Sequence, residues 1–236
     1  IHRNLFKNGG ERAVNLGGST GLEFFRPLNA TFEAADLFVY ANIFIGSNAP
    51  IAYVGCTNVH VVNNTIYDPK RWVIRILQET VDPSRFVPCG NSTFRNNLIV
   101  LITALSTECN AGPGTAAQTF RFSNNLWYHA ASTAWSGPRD LPVTDSNAIR
   151  GQDPRLVNPA GGDFHIAGNS PAIGQGMRLV DPALDYDGRA FVTARSIGAL
   201  EGAATGTEPM GIRPALSAPL NVRHLLLKDP YRLSGT

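Results

Sequence analysis

The sequence predicts an all-β chain wound as a parallel β-solenoid, and three observations predict it. A short pattern recurs in which Asn precedes an apolar triplet: Ala41-Asn42-Ile43-Phe44-Ile45, Asn63-Asn64-Thr65-Ile66-Tyr67, Asn96-Asn97-Leu98-Ile99-Val100 and Asn124-Asn125-Leu126-Trp127-Tyr128, with a shortened copy at Arg3-Asn4-Leu5-Phe6-Lys7. The second Asn stands at 4, 42, 64, 97 and 125, with gaps of 38, 22, 33 and 28, so the shortest coil is near 22 residues and longer ones carry insertions. Finally, the residues three before this Asn (Ile1, Val39, Val61, Phe94, Phe122) and two after it (Phe6, Phe44, Ile66, Ile99, Trp127) are apolar in every copy. Stacked at about 4.8 Å per coil, such columns fill an interior, while the Asn column marks a bend whose amides bond to the coils above and below.

Element by element, Ile1 already fills a core column, so the chain is expected to begin inside a strand, with N-terminal coils missing or an assembly partner completing that end. Residues 1–130 are read as the coils. Gly17 to Glu33, Pro69 to Gly90 and Ser106 to Gln118 interrupt them, with the Gly, Pro and Asn content of surface loops. Insertions of this kind gather on one side of a solenoid and shape a binding face. Within the second, Trp72-Val73-Ile74-Arg75-Ile76-Leu77 reads as a further strand of the same coil.

From Ala131 the repeat stops, and 131–202 read as a C-terminal cap, followed by an extended tail over 203–236. Ser170 is an N-cap residue with Pro171 after it, which predicts a short helical turn. Gly161-Gly162 and Asp187-Gly188 predict tight turns. Phe164 and Ile166 share one side of a strand and are placed to lay an apolar edge on the last coils. Leu225-Leu226-Leu227 in the tail needs a surface to cover it.

Composition excludes several classes of function. Of 236 residues 43% are hydrophobic and 16% charged, which suits a folded chain and not a disordered one. A net charge of +2 without any Lys/Arg run argues against a nucleic-acid partner. No apolar run reaches the roughly 18 residues that a transmembrane helix needs. Lys7, Lys70 and Lys228 are the only lysines, which limits any mechanism built on an amine base. Cys56 and Cys89 both lie eight residues before their Asn, in a column with Ala34 and Ala117. They are therefore expected on adjacent coils, either as a disulfide or as two stacked thiols, and Cys109 is an alternative partner for Cys89. No spacing suits zinc. Asp185-x-Asp187-Gly188 lacks the later Glu of a calcium loop, since position 196 is Ser196, and reads as a turn.

The ordered series Asp153-Pro154, Gly162-Asp163-Phe164-His165, Ser170-Pro171-Ala172-Ile173, Asp185-Tyr186-Asp187-Gly188-Arg189 and Ile197-Gly198-Ala199-Leu200-Glu201 follows the Asn-containing coils. Over about 39–201 it resembles the C-terminal part of bacterial secreted right-handed parallel β-helix proteins of the pectate-lyase-like superfamily. The resemblance implies a right-handed parallel β-helix with a C-terminal cap, in a secreted or cell-surface protein. That superfamily contains polysaccharide lyases, glycoside hydrolases, adhesins and other surface proteins, so the fold alone does not select an activity. Its lyases neutralise a uronate carboxylate with calcium or Arg and remove the neighbouring proton with a base; for this chain calcium is implied only if it is such a lyase.

Counting from the Asn sorts the outward positions. Phe38, His60, Thr93 and Arg121 stand four before it, and His2, Tyr40, Val62, Arg95 and Ser123 two before it. Phe38, Tyr40, His60, Arg95 and Arg121 are the candidate ligand-binding residues, a set suited to stacking on sugars and pairing with anionic groups. In a lyase, Arg95 or Arg121 would neutralise charge and His60 would take the proton. The face holds no carboxylate, which favours a non-catalytic module binding a glycan or a protein partner over a lyase. A third alternative is an architectural subunit of an extracellular assembly. Its contact would be the second outward face, where Ile43, Ile45, Leu98, Val100 and Tyr128 are apolar yet point away from the core. Either the cap covers that face or another subunit does.

Overall fold

The computed structural model describes residues 1–202, and the tail read at 203–236, with Leu225-Leu226-Leu227, lies outside the described residues. The architecture is all-β, with parallel strands in stacked sheets and only short 3-10 turns besides. Sheet A joins Phe38–Tyr40, His60–Val62, Thr93–Arg95, Arg121–Ser123 and Asp145–Ser146. Sheet B runs through Leu5–Lys7, Ile43–Ile45, Thr65–Tyr67, Leu98–Leu101, Leu126–His129 and Ile149–Arg150. Sheet C joins Arg12–Gly17, Ala49–Val54, Ile74–Leu77 and Cys109–Ala111. The chain visits A, B and C in that order and then returns to A, each circuit adding one strand to each sheet until the last, which passes from Leu126–His129 of sheet B to Asp145–Ser146 of sheet A without a strand in C.

The bend between A and B explains the Asn doublet. Its first position is left-handed in every circuit, with φ between 50° and 57° at Arg3, Ala41, Asn63, Asn96, Asn124 and Asn147. Asn tolerates that region better than other residues with a Cβ. The second Asn turns inward and makes a ladder. Asn4 donates to Asn42 at 3.1 Å, Asn42 to Asn64 at 3.0 Å, Asn64 to Asn97 at 3.0 Å and Asn97 to Asn125 at 3.1 Å. Each Oδ1 that accepts an amide also accepts the backbone N–H of the same neighbour, as from Asn42 to Asn64 at 3.0 Å. The last rung is not Asn: Asn125 donates to Asp145 at 2.9 Å.

Between the sheets, the columns counted from the Asn come into register. Val39, Val61, Phe94 and Phe122 align across sheet A, and Phe6, Phe44, Ile66, Ile99 and Trp127 across sheet B. With Ile51, Tyr53, Ile74 and Ile76 from sheet C they form one core, Phe6 packing against its edge. Cys56 and Cys89 lie on neighbouring circuits as free, buried thiols with sulfurs 3.8 Å apart, and Cys109 is buried and free as well. Ala117 leaves their column: Gly90 aligns with Ala116, two residues off the Asn count, because a 3-10 turn at Ala117–Thr119 takes up extra chain.

The apolar column assigned to a partner is occupied within the chain. Ile43, Leu98 and Val100 are at most 4% exposed, and Ile45 and Tyr128 are partly buried. Phe164, Ala199 and Leu200 pack on Ile43, while Ile166, Ala172 and Ile197 pack on Leu98 and Val100. The outward alternation of sheet B thus meets a covering layer from 156–200, each large side chain so removed from water contributing roughly 1.5–3 kcal/mol. The first Asn of each doublet pins this layer. Asn63 donates to the carbonyls of Ser196 and Gly198 at 3.0 and 3.1 Å, Asn96 exchanges bonds with Met177 at 2.8 and 2.9 Å, and Asn124 donates to Gln175 at 3.2 Å. One doublet therefore binds the interior with its second amide and the returning chain with its first.

The covering layer is built on Leu156–Asn158 paired antiparallel with Asp163–Ile166. Ser170 heads a single turn, its Oγ accepting from Ala172 N at 3.2 Å and donating to the Pro154 carbonyl at 2.6 Å. His165 bridges Asp163 at 2.6 Å and Asp187 at 2.9 Å, fastening the hairpin to the turn at Gly188. Burial opposes protonation of His165, but hydrogen bonds to the two carboxylates outweigh it and raise the pKa. A raised histidine pKa gives stability that is whole below the unfolded value of about 6.5 and is lost as pH rises through the folded value. The melting midpoint of the wild type should therefore fall more steeply across that interval than that of His165→Gln, and parallel curves would show that the bridge carries no charge.

Candidate functional site

Alternation places Val39, Val61, Phe94 and Phe122 inward, so their neighbours on sheet A form its outward face. Two rows result. Phe38, His60, Thr93 and Arg121 align in one, and His2, Tyr40, Val62, Arg95 and Ser123 in the other. The structure thus brings together all five candidate ligand-binding residues, Phe38, Tyr40, His60, Arg95 and Arg121.

At one end of the face the rings touch. His2 stacks on Tyr40 at 4.8 Å with planes 5° apart, Phe38 meets His60 at 4.7 Å and 41°, and Phe38 meets Tyr40 edge-on at 6.4 Å. Strand spacing in a parallel sheet fixes the first two distances, since in-register residues on neighbouring strands are about 4.8 Å apart, while Phe38 and Tyr40 are alternate residues of one strand. Phe38 keeps 40% of its surface exposed, so the cluster offers an open apolar platform. Two and three circuits beyond Phe38, respectively, Arg95 is half-buried and Arg121 exposed, and neither forms an ion pair among the described residues. Arg95 Nε is buried and has no hydrogen-bond acceptor among the described residues.

Electrostatically the face is positive. Burial, then repulsion from Arg121, lowers the Arg95 pKa. For His60, burial leads, the charge of Arg95 adds to it, and together they outweigh the pull of Asp36, so the imidazole is held below its ordinary pKa. His60 Nδ1 lies 3.0 Å from Thr93 Oγ1, which orients the ring. His60 is therefore biased towards its uncharged form and lies between the Phe38 ring and the Thr93 hydroxyl.

Asp36 is the residue that the count from the Asn passed over. It stands six before Asn42, outside the strand, in a bend where Asp36, Asn58 and Asn91 are left-handed with φ of 56°, 52° and 51°. Its Oδ1 accepts from Asn58 Nδ2 at 2.5 Å. The recurrence of Asp or Asn six residues ahead of the ladder was the available signal. Sheet C carries a second polar face that the count did not reach. There the guanidiniums of Arg71 and Arg75 lie over the Trp72 ring at 4.1 and 4.4 Å from its centroid, Arg75 donates to Asn110 at 3.1 Å, and Arg12 pairs with Glu79. These cations are engaged with carboxylate, amide or indole partners, whereas Arg95 and Arg121 are not. Asp68 and Lys70, in the loop ahead of that strand, pair with each other, and Asp68 also accepts from Thr103 at 3.0 Å.

The donor set of the sheet A face does not fit calcium. That ion takes six to eight oxygens, several from carboxylates. Among the described residues Asp36 is the acid whose charge acts on His60, and one of its oxygens is already held by Asn58. No protein-family model matches the chain, and no curated protein is significantly similar to it.

Proposed function

We propose that this chain is a right-handed parallel β-helix of the pectate-lyase-like kind, secreted or displayed at a cell surface, which holds a glycan on the outward face of sheet A without acting on it chemically. The observation that carries the reading is the group of touching rings, His2, Tyr40, Phe38 and His60, on the same face as two arginines that have no carboxylate partner among the described residues. Aromatic faces stack on the C–H faces of sugars, and an unpaired guanidinium gives a bidentate site for a carboxylate or sulfate. Sheet B cannot serve, because residues 156–200 lie on it. For the same reason the reading as an architectural subunit loses its contact face.

Calorimetry with a galacturonate hexamer tests the reading. The double substitution Arg95→Ala and Arg121→Ala should weaken binding at least tenfold and flatten its dependence on salt, since the attraction it removes is screened by ions. Phe38→Ala should weaken binding without changing the salt dependence. Equal affinity in wild type and the double variant, or no saturable binding at all, sinks the proposal. A lyase is the second reading, favoured by the neutral, oriented His60 beside Arg95. It requires release of unsaturated product from a uronate polymer and its loss in His60→Ala.

A further inference from the structure

We infer that the cavity between the loop at 102–108 and the turn at 129–139 is a separate binding site for a single neutral saccharide ring. Its volume is about 390 Å³, within the range of small-molecule sites. It lies where the chain leaves sheet B, the 102–108 loop leading on to Cys109–Ala111 of sheet C and the 129–139 turn to Asp145–Ser146 of sheet A, a different bend from the A-to-B bend of the Asn ladder.

Three features of the wall define the occupant. Trp135 lines the cavity, and its indole N–H donates to Glu108 Oε1 at 3.3 Å, which leaves the ring as an apolar surface with no free donor. Glu108 is fully buried beneath it, accepts the backbone N–H of Arg139 at 2.7 Å and lies 3.6 Å from the Arg139 guanidinium. The Arg139 cation is thus paired with a buried acid, and among the described residues it is the one Asp, Glu, Lys or Arg side chain on the cavity wall. His129 supplies direction. Its Nδ1 accepts the N–H of Ala131 at 3.3 Å, which places the proton on Nε2 and makes that atom a donor, with the imidazole 6.1 Å from the indole.

A flat apolar ring fixed by a buried carboxylate, one oriented imidazole donor and the hydroxyls of Ser132 and Ser136 on the wall suit a ligand with C–H groups on its face and hydroxyls around its edge. An apolar guest would leave the His129 donor unpaired on closing, and an acidic guest would find the wall cation Arg139 already paired with Glu108. A neutral pyranose satisfies both conditions.

The test is calorimetry of the whole chain with neutral hexamers of glucose, mannose, galactose and xylose, and with the galacturonate hexamer as a charged control. Saturable binding of at least one neutral hexamer is expected. It should weaken at least tenfold in Trp135→Ala and remain unchanged in the double variant at Arg95 and Arg121, which separates this site from the sheet A face. Should Trp135→Ala lower the melting midpoint, Ser136→Trp plugs the cavity from an exposed position and should abolish the same binding in a stably folded chain. Absence of binding by all four neutral hexamers overturns the inference. So does binding that survives Ser136→Trp, or a galacturonate hexamer that binds more tightly and depends on Trp135.

Discussion

Replacing Asn64 with Ala is expected to destabilise the chain by about 3–5 kcal/mol, out of a total that for a protein domain is about 5–15 kcal/mol. The side chain is fully buried and sits in mid-ladder. Its Nδ2 donates to Val39 O at 3.0 Å, Val62 O at 3.1 Å and Asn97 Oδ1 at 3.0 Å, and its Oδ1 accepts both the backbone N–H and the amide of Asn42 at 3.0 Å. Truncation leaves the Asn42 N–H without this acceptor in a site that excludes water, and each buried orphan costs about 1–3 kcal/mol. The rungs polarise one another, so the loss should exceed that of one isolated bond.

A comparison separates hydrogen bonding from packing. Asn64→Asp has nearly the same volume, but it turns the donating nitrogen into an oxygen facing three acceptors. It should be at least as damaging as Ala at neutral pH. Asn4→Ala, in the exposed first rung, should cost less than about 1 kcal/mol, since water can replace what is lost. Chemical denaturation reads all three. An Asp variant as stable as wild type would show that the ladder acts only by filling space.

How much of this could be read in advance follows from the same ladder. The Asn fixes register for four residues on one side and three on the other, and within that reach Phe38, His60 and Arg121, or Tyr40 and Arg95, align as counted. Beyond it the count loses hold. Loops of unequal length separate the Asn from sheet C, so nothing in the sequence showed that Arg75 would lie beside Asn110. The cavity at Trp135 was hidden for a related reason: its fixing residue, Glu108, lies 27 positions away in a stretch without repeats. The apolar column of sheet B was visible, but not its cover, because contacts such as Ile43 with Ala199 join segments more than 150 residues apart with no shared periodicity. Local pattern specifies columns, and only the folded chain shows which column meets which loop.

Asp145 gives the second large effect. Where the next Asn would fall the chain has Ala148, and the carboxylate that ends the ladder comes instead from three residues earlier, out of the core column of sheet A. Asp145 Oδ2 accepts from Asn125 Nδ2 at 2.9 Å and from the Trp127 indole at 2.7 Å, while Oδ1 is buried with no partner. A terminal rung must accept without donating, and a carboxylate does so. Asp145→Ala strands the indole N–H of a fully buried Trp127 and part of the Asn125 amide, and should cost about 3 kcal/mol or more. Asp145→Asn keeps an acceptor in place and should recover most of that loss. The pH dependence differs between the two forms of the site. Burial raises the Asp145 pKa despite the hydrogen bonds from Trp127 and Asn125, so the folded state holds the proton more tightly than the unfolded chain does. The associated stability is complete below the unfolded carboxylate value of about 3.9 and is lost as pH rises through the folded value. Wild type should therefore lose stability relative to Asp145→Asn as pH rises through that interval, and the two should converge below it. A constant difference across the whole range would mean that Asp145 is not the titrating group, and with it the account of how the ladder ends would fall.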